Sequence, residues 1–383
     1  MKFLMVGTNP EKTGAATHFV ALAQALVEAG HDVSVVASPA GLIEQELQNT
    51  GVRLYTATFR NALDLRGYAR VLRAAKRSAP DWLVGNFGKE YWPLIVIGRL
   101  LRIPVALFRH RVPPMNRLSE YLLPRLAQRF FAVSNHARQS YLEHGVPPQR
   151  IQVLYNPVNM ALCKRDPVTR SALLRTLDIA DDAIVLGYCG RMHQSKGIFT
   201  LFEAVTAAME QESRLHCLWL GSGPDALELR DRAACHLMRE RHHFPGWINN
   251  IHPWFSAMSM LAFPSIAPET FGRGSVEAQA AGIPVLASDV GGVPETLNPG
   301  VTGMLLPPGN VGAWCAAIRA MCDPSRRLPM GVAAQEFVRE RFSTRVIAVE
   351  FVRMLTNSVT LKSTALDIHQ HISRQHISRQ KRT

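Results

Sequence analysis

Acidic side chains are scarce in this sequence. Only 30 Asp and Glu stand against 43 Lys and Arg, a formal net charge of +13, and the imbalance points to an acidic partner: nucleic acid, an anionic membrane or an acidic substrate. Cysteine is sparse as well. All 6 follow Met160, with neither a CxxC pair nor zinc-type spacing, which removes a zinc ribbon or a disulfide framework and leaves free thiols in a reducing compartment. Long apolar runs are missing too. The longest stretch, Trp92 to Phe108, is broken by Arg99, Arg102 and Pro104, so no membrane span is expected. The apolar start, Phe3 to Val6, is shorter than a signal-peptide core and reads as a first strand. A cytoplasmic protein is expected.

What is present is an alternation. Short apolar runs at Phe3–Gly7, Val33–Ala37, Val52–Tyr55, Trp82–Val84, Val105–Phe108, Phe130–Ser134 and Ile151–Leu154 are separated by helical patterns, the clearest over Ala16–Ala29 and closed by Gly30. Strands apolar throughout imply a parallel sheet covered on both faces, hence a Rossmann-like α/β domain over residues 1–159. After Asn156-Pro157 the rhythm restarts at Ile184–Gly187, Leu215–Leu220, Met260–Phe263 and Val285–Ala287, giving a second such domain over residues 160–343. A last helix, residues 344–357, is expected to pack back on the first domain. Residues 360–383 are polar and basic with a tandem His-Ile-Ser-Arg-Gln at 371 and 376, and read as a disordered tail. Two doubly wound sheets bind ligands beyond their strands' carboxyl ends, so a cleft between them is the expected site.

Four stretches place chemistry there. Pro268 to Gly292 reads as loop, helix and strand, with Glu269 in the loop, free N–H groups at Gly272, Arg273 and Gly274, and Glu277 on the helix. A helix start favours anions, and carboxylates beside an anion site are tolerable where they bind hydroxyls; a sugar nucleotide offers both groups. Gly190 to Gly197 carries Arg191 and Lys196 on a loop before a helix, fixed positive charge suited to a diphosphate. Gly221-Ser222-Gly223-Pro224 is a loop almost free of side chains that permits close approach of a nucleoside. Gly14 opens the first helix, in a loop that is not Gly-x-Gly-x-x-Gly, so a dinucleotide is poorly supported. There is no Asp-x-Asp to hold a divalent ion against a diphosphate. His110 ends a strand between Arg109 and Arg111, whose charges would keep it a neutral donor. Leu65 to Ala79 forms a basic amphipathic pattern with Leu65, Tyr68, Val71, Leu72 and Ala75 on one side, compatible with core packing or an anionic membrane.

Together these residues resemble the retaining, GT-B-type glycosyltransferases of family 4. The stretch from Glu269 to Glu277 is similar to that family's Glu-x(seven)-Glu signature; Gly190, Arg191, Lys196 and Gly197 match its charged loop, Gly221, Gly223 and Pro224 its glycine turn, and Gly14 its N-terminal loop. The resemblance implies that Arg191 and Lys196 hold the donor diphosphate and Glu277 the ribose hydroxyls. It implies that Glu269 and the N–H groups of Phe271 and Gly272 grip the sugar, that the base lies near Gly223, Trp247 and Ile248, and that Gly14 stands by the phosphates. His110 would stand by the sugar and the acceptor. Catalysis would rest on Glu269, His110, Arg191 and Lys196, with no metal and no cofactor beyond the nucleoside-diphosphate sugar. Three departures stand out: Ala15 replaces a glycine, Ser259 stands where an acid is common, and the tail beyond Leu355 has no counterpart.

The expected function is therefore transfer of a sugar to a glycan or glycolipid, such as a lipopolysaccharide core or lipid-linked glycan, at the inner face of the membrane. A sugar-nucleotide 2-epimerase uses a similar cleft and would need no acceptor. A basic nucleic-acid binder is allowed by charge, but no RNA or DNA motif is present.

Overall fold

The computed structural model describes residues 1–61, 63–111 and 115–357; the basic tail with its tandem repeat lies outside them. A first sheet is built from β1 (Lys2–Gly7), β2 (Asp32–Ala37), β3 (Arg53–Thr56), β4 (Trp82–Gly85), β5 (Val105–Arg109), β6 (Arg129–Ala132) and β7 (Gln152–Val153). Its spatial order is β3-β2-β1-β4-β5-β6-β7, all parallel. Successive residues of β1 point to opposite faces: Phe3 and Met5 pack under the helix Gly14–Glu28, while Leu4 and Val6 pack under Leu65–Ser78 and Gly88–Leu101. Both faces are apolar because both are covered, which is why these strands read as unbroken hydrophobic runs.

The second sheet contains β8 (Ile184–Cys189), β9 (Leu215–Leu220), β10 (His242–Gly246), β11 (Met260–Phe263), β12 (Val285–Ser288) and β13 (Gly303–Leu306), in the order β10-β9-β8-β11-β12-β13 and again parallel. The two edge strands are absent from the sequence reading. β10 contains two histidines and Pro245, which a central strand would not tolerate; at the edge only β9 is a neighbour, and the register shifts between His243 and Gly246. β13 is only four residues long and begins with a glycine.

The helix over residues 344–357 returns to the first domain. Ile347, Ala348, Phe351 and Leu355 are buried there, with the Phe351 ring 5.9 Å from Phe3, 5.5 Å from Phe108 and 5.6 Å from Phe131. The amphipathic helix is realised as Leu65–Ser78, but its apolar side is Gly67, Val71, Ala74 and Ala75. Leu65, expected on that side, is 80% exposed. It is the first residue after the Asp64 cap, whose carboxylate accepts from Arg66 N and Gly67 N, and it lies short of the sheet that covers the later turns.

In both sheets the chain order reverses at one place, between β1 and β4 and between β8 and β11. The connections diverge there and leave a crevice beyond the strand ends. The loops at those points are residues 8–13, 86–87, 190–197 and 264–272, and the last two hold Arg191, Lys196, Glu269, Phe271 and Gly272.

Candidate functional site

The first-domain side is braced by a buried acid. Glu90, in the first turn of the helix Gly88–Leu101, is fully buried. Its Oε1 accepts the N–H and, at 2.7 Å, the hydroxyl of Thr8, and its Oε2 accepts Phe87 N. One carboxyl group thus ties together the loops after β1 and β4. Burial pushes its pKa up to about 7, against the hydrogen bonds from Thr8 and Phe87 that favour the charged form. A raised acid holds its proton longer in the folded state than in the unfolded chain. Its contribution is complete below about pH 4.5 and is lost as pH rises toward 7, at most about 3 kcal/mol. Glu90→Gln is expected to flatten that part of the stability–pH profile in urea titrations; an unchanged slope between those values would show that Glu90 does not titrate there.

His110 directly follows β5 and bonds to Asn86 through Nε2, 2.8 Å from Asn86 Oδ1. Asn86 Nδ2 donates to Ala15 O at 2.8 Å, which fixes the amide so that its oxygen faces the histidine. Nε2 must therefore carry the proton, and Nδ1 is the acceptor. The expectation of a neutral imidazole holds in direction, with the pKa lowered to about 3, but burial is the first cause, followed by Arg109 and Arg273. The expected donor role needs correction: the one N–H is spent on Asn86. Beside it, 4.6 Å between ring centroids, lies His18, fully buried with neither ring nitrogen partnered.

On the second-domain side, three glycines let loops touch. At Gly197, φ is +69° and a Cβ would stand 1.9 Å from Pro264 O; at Gly221, φ is +143° and a Cβ would meet Gly190 O at 1.9 Å; at Gly223 it would meet Met192 O at 2.1 Å. Backbone bonds from Gly190 N to Leu220 O, Met192 N to Ser222 O, and Ile266 N and Ala267 N to Ser195 O lock the layers. Lys196 Nζ reaches Glu269 Oε1 at 2.5 Å, and that oxygen also accepts Ser265 Oγ at 2.6 Å. Arg191 is exposed.

The Glu269 loop is held from behind by Gly291-Gly292. Gly292 N donates to Glu269 O at 2.8 Å, and a Cβ on Gly291 would lie 2.3 Å from the same oxygen. Ser134 Oγ of the first domain donates to Thr270 O, while Glu295 accepts the N–H groups of Asn135 and His136 at 2.7 and 2.8 Å, capping a first-domain helix from the second domain. Phe271 is a core side chain, its ring 5.7 Å from both Tyr155 and Phe342. Its N–H and that of Gly272 donate to no described residue. Gly272, at φ +100°, caps the helix Arg273–Ala280, on which Arg273 Nε pairs with Glu277 Oε1 at 2.6 Å.

Gly14, Trp247, Ile248 and Glu277 line one inter-domain cavity of about 610 Å³, together with Lys12, Asn159, His252 and Arg273. Lys12 Nζ donates across it to Asn249 O. Glu269, His110, Arg191, Lys196 and the glycines of the charged loop and the glycine turn are not among its walls. The sequence reading missed His18, Asn86, Glu90, the side chain of Arg273 and the Gly291-Gly292 pair. Two had a visible signal: Arg273 stands four residues before Glu277, the spacing of a helical ion pair, and His18 shares the buried face of its helix with Phe19, Leu22 and Leu26.

The fold is that of a GT-B protein, two Rossmann-like domains facing a cleft. Two family models match, Glycosyltransferase Family 4 over residues 12–162 and Glycosyl transferases group 1 over residues 183–323, between them most of the chain. The chain belongs to the family 4, group 1 glycosyltransferases. A D-inositol 3-phosphate glycosyltransferase of Kribbella flavida is 29% identical over 237 residues, 58% of this chain and 55% of that protein; the chain thus spans about half the length of that curated relative. Anabaena Alr3699/HepE, solved in complex with UDP-glucose, superposes with a TM-score of 0.77 at 22% identity, covering 93% of this chain and all of the other. A glycosyltransferase from Rickettsia africae gives 0.81 at 18% identity, covering 94% and 98%. At these identities the likeness is one of fold.

Among the described residues no helix is long and apolar enough to cross a membrane.

Proposed function

We propose that this protein transfers a sugar, with retention, from a nucleoside diphosphate to a hydroxyl of a glycan or glycolipid. The observation that carries the reading is the cavity at the two switch points, where the ribose-type carboxylate Glu277, the exposed indole of Trp247 and the helix start at Gly14 converge. Glu277 takes ribose hydroxyls and Trp247 and Ile248 flank the base. Arg191 and Lys196 meet the charge that builds on the diphosphate as the sugar leaves, so no divalent ion is required, and the free N–H groups of Phe271 and Gly272 meet the sugar. The bond from C1 to the diphosphate oxygen breaks as the acceptor oxygen bonds to C1 from the same face, and the acceptor proton passes to the leaving diphosphate. Glu269, held by Lys196 and Ser265, orients the sugar, and His110 Nδ1 accepts from one of its hydroxyls or from the acceptor.

The first domain is read as the acceptor side and the second as the donor side. The exposed Arg66, Arg70, Arg73 and Arg77 beside the 82% exposed Leu63 support an anionic acceptor presented at a membrane surface. The name of the Kribbella relative favours a second acceptor class, a phosphorylated polyol. A panel of UDP-, GDP- and ADP-sugars tests the donor: one base series at about 100 times its Kd is expected to stabilise the protein by about 2.7 kcal/mol, unchanged by EDTA. No thermal shift with any series would remove the reading. Transfer that is faster on anionic vesicles at low salt supports the lipid acceptor, and equal transfer to a free phosphorylated polyol the other.

A further inference from the structure

We propose that Arg273 is a third cation of the donor site, donating from Nη1 to the diphosphate of the bound nucleotide; this rests on the nucleotide-sugar reading above. Its Nε is spent on Glu277, yet Nη1 is buried and has no partner among the described residues. A buried guanidinium N–H is left unpaired only at a cost, which a ligand oxygen would remove. The side chain lines the inter-domain cavity and stands one helical turn before Glu277 on the helix whose first N–H groups are open. A nucleotide with its ribose on Glu277 brings its diphosphate within reach of that helix start, where Arg273 lines the same cavity.

The charges on the cavity agree. Its walls hold two cations, Lys12 and Arg273, and two carboxylates, Glu46 and Glu277. Lys12 already bonds to Asn249 O, while Arg191 and Lys196 lie outside the walls, the latter paired with Glu269. Lys12 keeps further ammonium donors beyond that bond, but Arg273 is the wall cation with a buried donor that has no partner among the described residues. It sits centrally as well: its field lowers the proton affinity of His18 and His110 from the first domain and of His252 from the second. The fully buried His18 ring lies within reach of its field. A sugar phosphate presents oxygens for Arg273. Bidentate phosphate binding is what a guanidinium does better than an ammonium.

Calorimetric titration of wild type, R273Q and R273K with the nucleoside, its monophosphate and its diphosphate, in the base series that binds, tests this. R273Q is expected to lose about tenfold or more in diphosphate affinity with nucleoside affinity nearly unchanged, and R273K to recover part of it. Equal losses for nucleoside and diphosphate would overturn the proposal, since Arg273 would then act only by holding Glu277 for the ribose. Unchanged diphosphate affinity would overturn it outright. A wild-type protein that binds no nucleoside diphosphate at all fails the donor reading itself, and this inference with it.

Discussion

Gly197→Ala is expected to destabilise the second domain by about 4 kcal/mol, at the upper end of single substitutions, and to abolish donor binding at temperatures where the wild type is folded. The new Cβ would stand 1.9 Å from Pro264 O, a backbone atom that cannot swing away, at a φ of +69° that disfavours any side chain. Relief requires the loop 190–197 to part from the loop 264–267, which breaks the two bonds that Ser195 O accepts from Ile266 and Ala267. Arg191 and Lys196 ride on the first loop and Glu269 lies just beyond the second, so their geometry goes with them. Gly300→Ala is the control: φ is +77° but nothing lies within 4 Å of its Cβ, so only the backbone penalty of roughly 1 kcal/mol remains. Scanning calorimetry reads both, and a Gly197→Ala transition within ~1 °C of wild type would contradict the close approach on which the site is built.

Lys196→Ala is expected to lower kcat/KM by 10²–10³, about 3–4 kcal/mol of transition-state stabilisation, with the melting temperature little changed. The Lys196–Glu269 pair is partly exposed, and ion pairs so placed add little to stability. Its chemical role is larger. On the proposed donor site the substitution removes a cation from the diphosphate, and it also frees Glu269, which keeps only the Ser265 hydroxyl on the same oxygen. Comparing Lys196→Ala, Glu269→Gln and the double variant separates the two: if the lysine acts only by holding the glutamate, the double variant is no slower than Glu269→Gln alone. A Lys196→Ala enzyme within a factor of ~3 of wild type would remove Lys196 from the chemistry altogether.

The central strands of both sheets were legible because they are buried on both faces, so burial writes itself as an apolar run. The edge strands β10 and β13 were not, since an edge needs one neighbour and tolerates Pro245 or Gly303. At the site the same division holds. Glu269, Arg191 and Lys196 announce themselves by charge in loops before helices, and Glu277 by its spacing from Glu269 on the helix that follows. Glu90 does not, because a polar residue on a buried helix face gains its meaning from what lies opposite, and Thr8 is 82 residues away from Glu90 in sequence.

From its order alone, then, the sequence determined two parallel sheets, the loops at their carboxyl ends and the charges those loops carry. These are consequences of local periodicity and glycine placement, which each segment holds within itself. Tertiary structure decided the pairings: Lys196 with Glu269, Arg273 with Glu277, His110 Nε2 with Asn86 so that only Nδ1 accepts, and Gly291-Gly292 behind Glu269. Which of two nearby groups a donor meets depends on backbone layers brought to within 3 Å of one another by crossovers distant in the chain, and no local pattern encodes that distance.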